Sequence, residues 1–173
     1  VLEMFELTTG ETSAGFAIDG CSAPNYVCSL HGLARAMAWF ASAGNRSDPT
    51  SKAAASLVAA MTAHPDLVAG EGRACTELMR AVDGQVAIKT GAEGVFVAIL
   101  PKQRLGVALK MNDGATRASD AAIAAILVHL KILSLDHPAT RMFANARQRN
   151  WRGIETGRIC ICPEFLPDQA EFR

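Results

Sequence analysis

The chain has 173 residues, half of them hydrophobic and 20% charged, enough to enclose one core and too apolar for a disordered segment. Lys plus Arg and Asp plus Glu balance at 17 each, which argues against a nucleic-acid groove or an anionic membrane surface as partner. No run reaches the ~18–20 apolar residues of a membrane span, because the longest, Ala121 to Leu135, is interrupted by His129 and Lys131.

Val1 begins in mid-pattern without the features of a signal peptide, so further sequence is expected upstream. Val1 to Ile18 alternates moderately around Gly10 and Gly15 and reads as short strands or an extended entry; Asp19 to Asn25 is dense in turn formers. Leu30 to Ser42 reads as a helix with Ser29 as a candidate N-cap, and Ser51 to Ala63 as a second, bounded by Pro65 and Gly70. Thr76 opens a short helix through Val82. Three strands follow, Gln85 to Thr90, Val95 to Leu100 and Leu105 to Met111, joined by short polar or glycine-bearing links that favour antiparallel hairpins. Arg117 to Ser134 is the longest helix, limited by Pro138, and Ile159 to Pro163 reads as a last short strand. Helices segregate from strands, so the fold class is α+β, an antiparallel sheet with flanking helices.

The chemistry-bearing residues are few. Lys89-Thr90-Gly91 ends the first strand of the meander, where a Lys can keep a serine nucleophile deprotonated or bind a carboxylate, and Gly91 leaves room for substrate. A surface Lys before a turn is the bland alternative. Asp19-Gly20-Cys21 sets a carboxylate beside a thiol that is either a soft metal ligand or a free Cys. Cys75, next to Arg73 at a helix start, is either a buried residue or a thiolate or anion site favoured by the helix dipole. Glu93, in the turn after Lys89, either pairs with a substrate ammonium group or is solvated. His31, His64, His129 and His137 show no metal spacing, and Cys160-Ile161-Cys162 is too tight for most zinc knuckles, although strand alternation would turn both thiols to one face. Five irregularly spaced cysteines make a poor disulfide framework and point to a reducing, cytoplasmic setting.

Lys89-Thr90-Gly91, in this position, resembles an element of serine β-lactamases and penicillin-binding proteins. In that superfamily the nucleophile belongs to a Ser-x-x-Lys helix, and no serine here is followed three residues later by Lys. Five ordered segments, Ile18 to Asn25, Leu33 to Ala38, His64 to Gly70, Gly72 to Met79 and Lys89 to Val95, are similar to the rhizobial-type asparaginase II family; Asp113 to Ala118 and Asn150 to Ile154 extend the likeness over residues 1–158. The resemblance implies a β-lactamase-like serine-hydrolase fold, incomplete in this chain, and hydrolysis of L-asparagine to aspartate and ammonia. It implies that 1–158 is the C-terminal half of such a domain, the nucleophile lying in the other half, and that 159–173 is a divergent tail. Residue by residue it assigns catalysis to Lys89 and Thr90, a substrate pocket to Asp19 and Cys75, and a zinc ligand to Cys21, the zinc tuning affinity rather than generating the nucleophile. It also implies a small-molecule amide as partner and a homodimer for the whole protein. Two rival readings stand beside it: a non-catalytic fragment or subunit that needs a partner chain, and an enzyme whose nucleophile is Cys75.

Overall fold

A computed structural model describes residues 1–165. The order is α1 (Leu2–Thr9), β1 (Phe16–Ile18), β2 (Pro24–Tyr26), α2 (Leu30–Ala41), α3 (Pro49–Ala63), α4 (Pro65–Ala69), α5 (Ala74–Ala81), β3 (Ala87–Thr90), β4 (Val95–Leu100), β5 (Leu105–Lys110), α6 (Thr116–His129), α7 (Pro138–Ala144), β6 (Arg147–Arg149) and β7 (Glu155–Arg158). All strand pairs are antiparallel, so the chain is α+β with antiparallel sheets, as its segregated pattern implies.

The organising element is the three-stranded sheet β3–β4–β5. Its alternating side chains feed two cores. Ile88, Phe96, Ala98, Leu100 and Leu109 point to one face, where Leu78 and Met79 of α5 and Ile123 and Leu127 of α6 close over them. Ala87 and Ile99 point to the other, against Ala41 of α2 and Val58 of α3. Burial on both faces explains why Val95–Leu100 is an unbroken apolar run.

Helix α2 rests directly on β5 at Gly106. A Cβ there would lie 2.1 Å from the carbonyl oxygen of Ala34 and 2.2 Å from the amide nitrogen of Ala38. Glycine removes the side chain and lets helix and strand backbones meet. The N-terminus of α2 is tied down twice. Ser29 accepts from the Gly32 amide, and the Glu11 carboxylate accepts from both the Ser29 amide (2.9 Å) and the Ser29 hydroxyl. At the other end Arg46 donates to the Ser42 and Ser51 hydroxyls and lies 4.5 Å from the centre of the Trp39 ring, joining α2 to α3.

The structure departs from the sequence pattern in particular places. Residues 2–9 form a helix rather than strands, closed by Gly10 in the left-handed region (φ 68°) with its amide bonded to the Glu6 carbonyl. Pro65 and Pro138 begin helices instead of merely ending them, since proline suits the first helical position. Thr76 does not open α5; its hydroxyl donates to the Pro65 and Gly70 carbonyls, and Arg73 is the N-cap. Helix α6 stops at His129 because Lys131 takes a positive φ and the Ile132 amide folds back to the Leu127 carbonyl. Residues 159–163 form no strand. The last sheet is the exposed hairpin β6–β7, whose tip carries the fully exposed Trp151, 105% accessible. Residues 166–173 of the expected tail lie outside the described residues.

Two outcomes follow from this packing. Gly106→Ala forces α2 off the sheet and should destabilise the fold by about 2–3 kcal/mol in urea unfolding, the scale of an overpacked core. Hydrogen bonds from Ser29 hold the Glu11 carboxyl below the usual carboxylate range. A depressed folded pKa adds stability above the unfolded value and loses it as pH falls through the folded one. Stability should therefore drop on acidification below about pH 4.5, and the urea midpoint of Glu11→Gln should fall less steeply than that of the parent over that window.

Candidate active site

Strand β3 carries Lys89-Thr90-Gly91 to its C-terminal end. Alternation sends Lys89 toward α2 and α3, where its stem, with Met37, Met61 and Val97, lines an apolar hollow of about 330 Å³. The Lys89 amine reaches the strand edge and donates to the Thr90 carbonyl at 2.6 Å. Thr90 faces the opposite way, and its amide donates to the sulfur of Cys75 at 3.2 Å. In an antiparallel edge strand alternate residues point both backbone groups outward. The Gly91 amide bonds the Val95 carbonyl, so Gly91 and Lys89 face β4 and Thr90 faces out. Cys75 and Lys89 thus satisfy the donor and acceptor that Thr90 would otherwise leave bare.

The turn beyond is equally constrained. Glu93 and Gly94 both have positive φ (56° and 70°), and the Val95 amide closes on the Ala92 carbonyl at 3.1 Å, which makes a type I′ turn. A Cβ on Gly94 would sit 2.9 Å from the Met111 Cβ, so only glycine fits. Lys110 donates to the carbonyls of Glu93 and Met111, fastening the turn to the end of β5. The Glu93 carboxylate itself lies in solvent.

Cys75 occupies the first turn of α5 and is 1% exposed. Burial pushes its thiol up, opposed by the Thr90 amide and by the charges of Lys89 and Arg73; the Asp120 charge adds to the rise. The balance is a neutral thiol. Of the two readings of Cys75, a buried residue or a thiolate site, the structure favours the first, because desolvation outweighs the helix dipole here. Asp120 of α6 is a further titratable group whose charge bears on Cys75, and the sequence pattern did not single it out. It follows the fully buried Ser119 and stands three and four residues before the fully buried Ile123 and Ala124. Burial raises its carboxyl and the Arg73 guanidinium lowers it, burial being the larger influence. A carboxylate on the apolar side of a helix is the signal that could have revealed it. Arg73 and Ala115, the N-caps of α5 and α6, offer no side-chain cap, so two positive helix ends lie at this end of the sheet.

Lys89, Thr90 and Cys75 are therefore joined through the Thr90 backbone, and the charges of Arg73 and Asp120 act on the sulfur. Asp19 and Cys21 share the β1–β2 hairpin, where the Cys21 thiol is 3.5 Å from the Asp19 carboxylate and Tyr26 packs on Phe5 of α1. Among the described residues no group of three His, Cys, Asp or Glu is arranged to hold a metal ion. One thiol with a neighbouring carboxylate falls short of a zinc ligand set. Cys160 and Cys162 are both exposed, while Ile161 between them packs on the core. Among the described residues no helix is long and apolar enough to cross a membrane.

The neutrality and burial of Cys75 set an expectation. In the native protein it should be alkylated by iodoacetamide about tenfold or more slowly than the exposed Cys21, Cys160 and Cys162, and at a similar rate after unfolding, as peptide mass mapping would show.

No curated protein matches the chain in sequence. The family model described as L-asparaginase II matches residues 1–161. That match covers nearly the whole chain, including every residue of the Lys89–Cys75 cluster, and the chain belongs to the L-asparaginase II family.

Proposed function

We propose that this chain forms the Lys-Thr-Gly wall of an L-asparagine amidohydrolase whose serine nucleophile comes from sequence outside it. Family membership supports asparaginase-type hydrolysis of a small-molecule amide. The finer reading rests on one observation: Lys89 and Thr90 are held at a strand end, beside two uncapped helix N-termini. In this reading the serine hydroxyl attacks the side-chain amide carbon of asparagine, and ammonia leaves with the proton gained from the attacking group. Water then opens the β-aspartyl ester to give aspartate and restore the serine. The Lys89 amine moves the proton, its Thr90 carbonyl contact being exchanged for the nucleophile. Thr90 and Gly91 border the substrate, and backbone amides receive the oxyanion.

Asp19, Cys75 and Glu93 belong to this proposal as residues bordering the substrate, and the β-lactamase-like topology belongs to it on the strength of the meander followed by α6. A zinc ion at Cys21 would tune affinity and needs donors beyond those the described residues bring there, so no step runs through it. The division into a 1–158 half-domain and a 159–173 tail is likewise part of the proposal.

A second reading, a non-catalytic piece that needs a partner chain, is favoured by the apolar hollow beside Lys89, where Leu57 on the rim is 59% exposed. An apolar surface against the proposed catalytic amine is a seat for further structure. Ammonia release from L-asparagine separates the two. The complete gene product should be active and residues 1–173 alone inactive. Lys89→Ala in the complete product should lower kcat/KM by about 10²–10⁴-fold, the range for a lost proton-transfer group. A loss below tenfold would remove Lys89 from the chemistry.

A further inference from the structure

We infer that Cys160 and Cys162 form a dithiol–disulfide couple, oxidised by a low-molecular-weight disulfide such as glutathione disulfide, with Cys160 attacking first and Cys162 closing the ring. The couple stands apart from the asparaginase reading and does not depend on it. Both residues are free thiols exposed to solvent. Ile161 between them packs on the core shared by α5 and α6, so its two neighbours turn away from that core together. The two cysteines also border one apolar hollow, lined by Leu109 and Met111 at the end of β5 and by Ala122 and Ile126 of α6. The segment is held at both ends. The Ile159 amide donates to the Ala146 carbonyl at 2.9 Å, and the Phe165 ring lies 5.2 Å from that of His129.

Two residues of extended chain advance about 6.6 Å, within the roughly 4.4–6.8 Å that separates the Cα atoms of a disulfide, and any bend shortens that span. Here the chain leaves strand geometry after Arg158 and turns into a single helical turn at Pro163–Phe165, so the pair is within bonding reach. Among the described residues no third ligand joins these thiols in a metal set, whereas a disulfide needs only two sulfurs. The two thiols differ in one respect: Cys162 donates to the Glu164 carboxylate. That contact keeps Cys162 protonated, which makes it the poorer first nucleophile, and puts a proton acceptor beside it for the second step. The Cys160 sulfur attacks one sulfur of glutathione disulfide, whose S–S bond breaks; one glutathione leaves and the other stays on Cys160. Cys162 then gives its proton to Glu164 and attacks the Cys160 sulfur, and the second glutathione leaves with a proton. Two protein thiols are oxidised and one glutathione disulfide is reduced to two glutathiones.

Trypsin cuts after Arg158 and next after Arg173, so one peptide carries both thiols and no other Cys. The complete gene product is treated with glutathione disulfide, trapped with N-ethylmaleimide, digested and weighed. The peptide should lose two hydrogens, with glutathione on less than about a tenth of it, because the second thiol is already in place. Dithiothreitol should restore the dithiol. Cys162→Ser should stop with glutathione on Cys160, and Cys160→Ser should take up glutathione at least about fivefold more slowly. Glu164→Gln should slow ring closure about tenfold, so that the Cys160 adduct accumulates first. Glutathione retained on the parent without closure, a link to another cysteine or a second chain, or no reaction overturns the couple. Equal uptake by the two serine variants, or closure at the parent rate in Glu164→Gln, overturns the order of attack.

Discussion

The backbone of Thr90 is gripped at both polar atoms, its amide by the Cys75 sulfur and its carbonyl by the Lys89 amine. Every other feature of the candidate site depends on this hold. It fixes the last residue of β3, which among the described residues has no second strand to set its position. It couples α5 to the sheet at the point where the glycine turn begins, and it does so with a thiol that burial keeps neutral. A weak, soft acceptor suits this position, because it satisfies an amide that would otherwise be bare without placing a second anion beside Asp120.

The sheet can support such an edge because it is covered on both sides. The α5–α6 core and the smaller α2–α3 core meet through β4, whose side chains alternate between them. The contact at Gly106 sets the distance of α2 from the sheet and hence the depth of the hollow along the Lys89 stem. Packing away from the Lys89 amine thereby decides how much room lies next to it.

How much of this could be read from residues alone depended on the kind of force at work. Strand β4 falls on Val95–Leu100, where a dense apolar run meets turns at both ends, and α2 begins at the serine that its capping pattern marks. The meander and Lys89-Thr90-Gly91 were legible for the same reason: local turn chemistry and periodicity agreed. Helices α4 and α7 were not, because a proline can both stop one element and start the next. Strands β6 and β7 were hidden by their exposure, since a hairpin without a buried face has no alternation to display. Asp120 was hidden by its ordinariness in sequence; its meaning lies in which side of α6 it occupies. For Cys75 the residues alone left a buried residue and a thiolate site both open, since a helix start argues for ionisation and only the tertiary burial decides against it.

The two tryptophans occupy opposite settings. Trp39 is partly covered on α2, with Phe40 edge-on at 5.5 Å and the Arg46 guanidinium over its ring, at the junction with α3. Trp151 projects entirely into water from the tip of the β6–β7 hairpin. Intrinsic fluorescence of the chain is consequently a sum of two reporters. One indole already emits as a solvated ring and gains little on denaturation, while the other is sensitive to separation of α2 from α3. A water-soluble quencher would silence the hairpin signal first and leave an optical gauge of the helical layer that backs the Lys89 hollow.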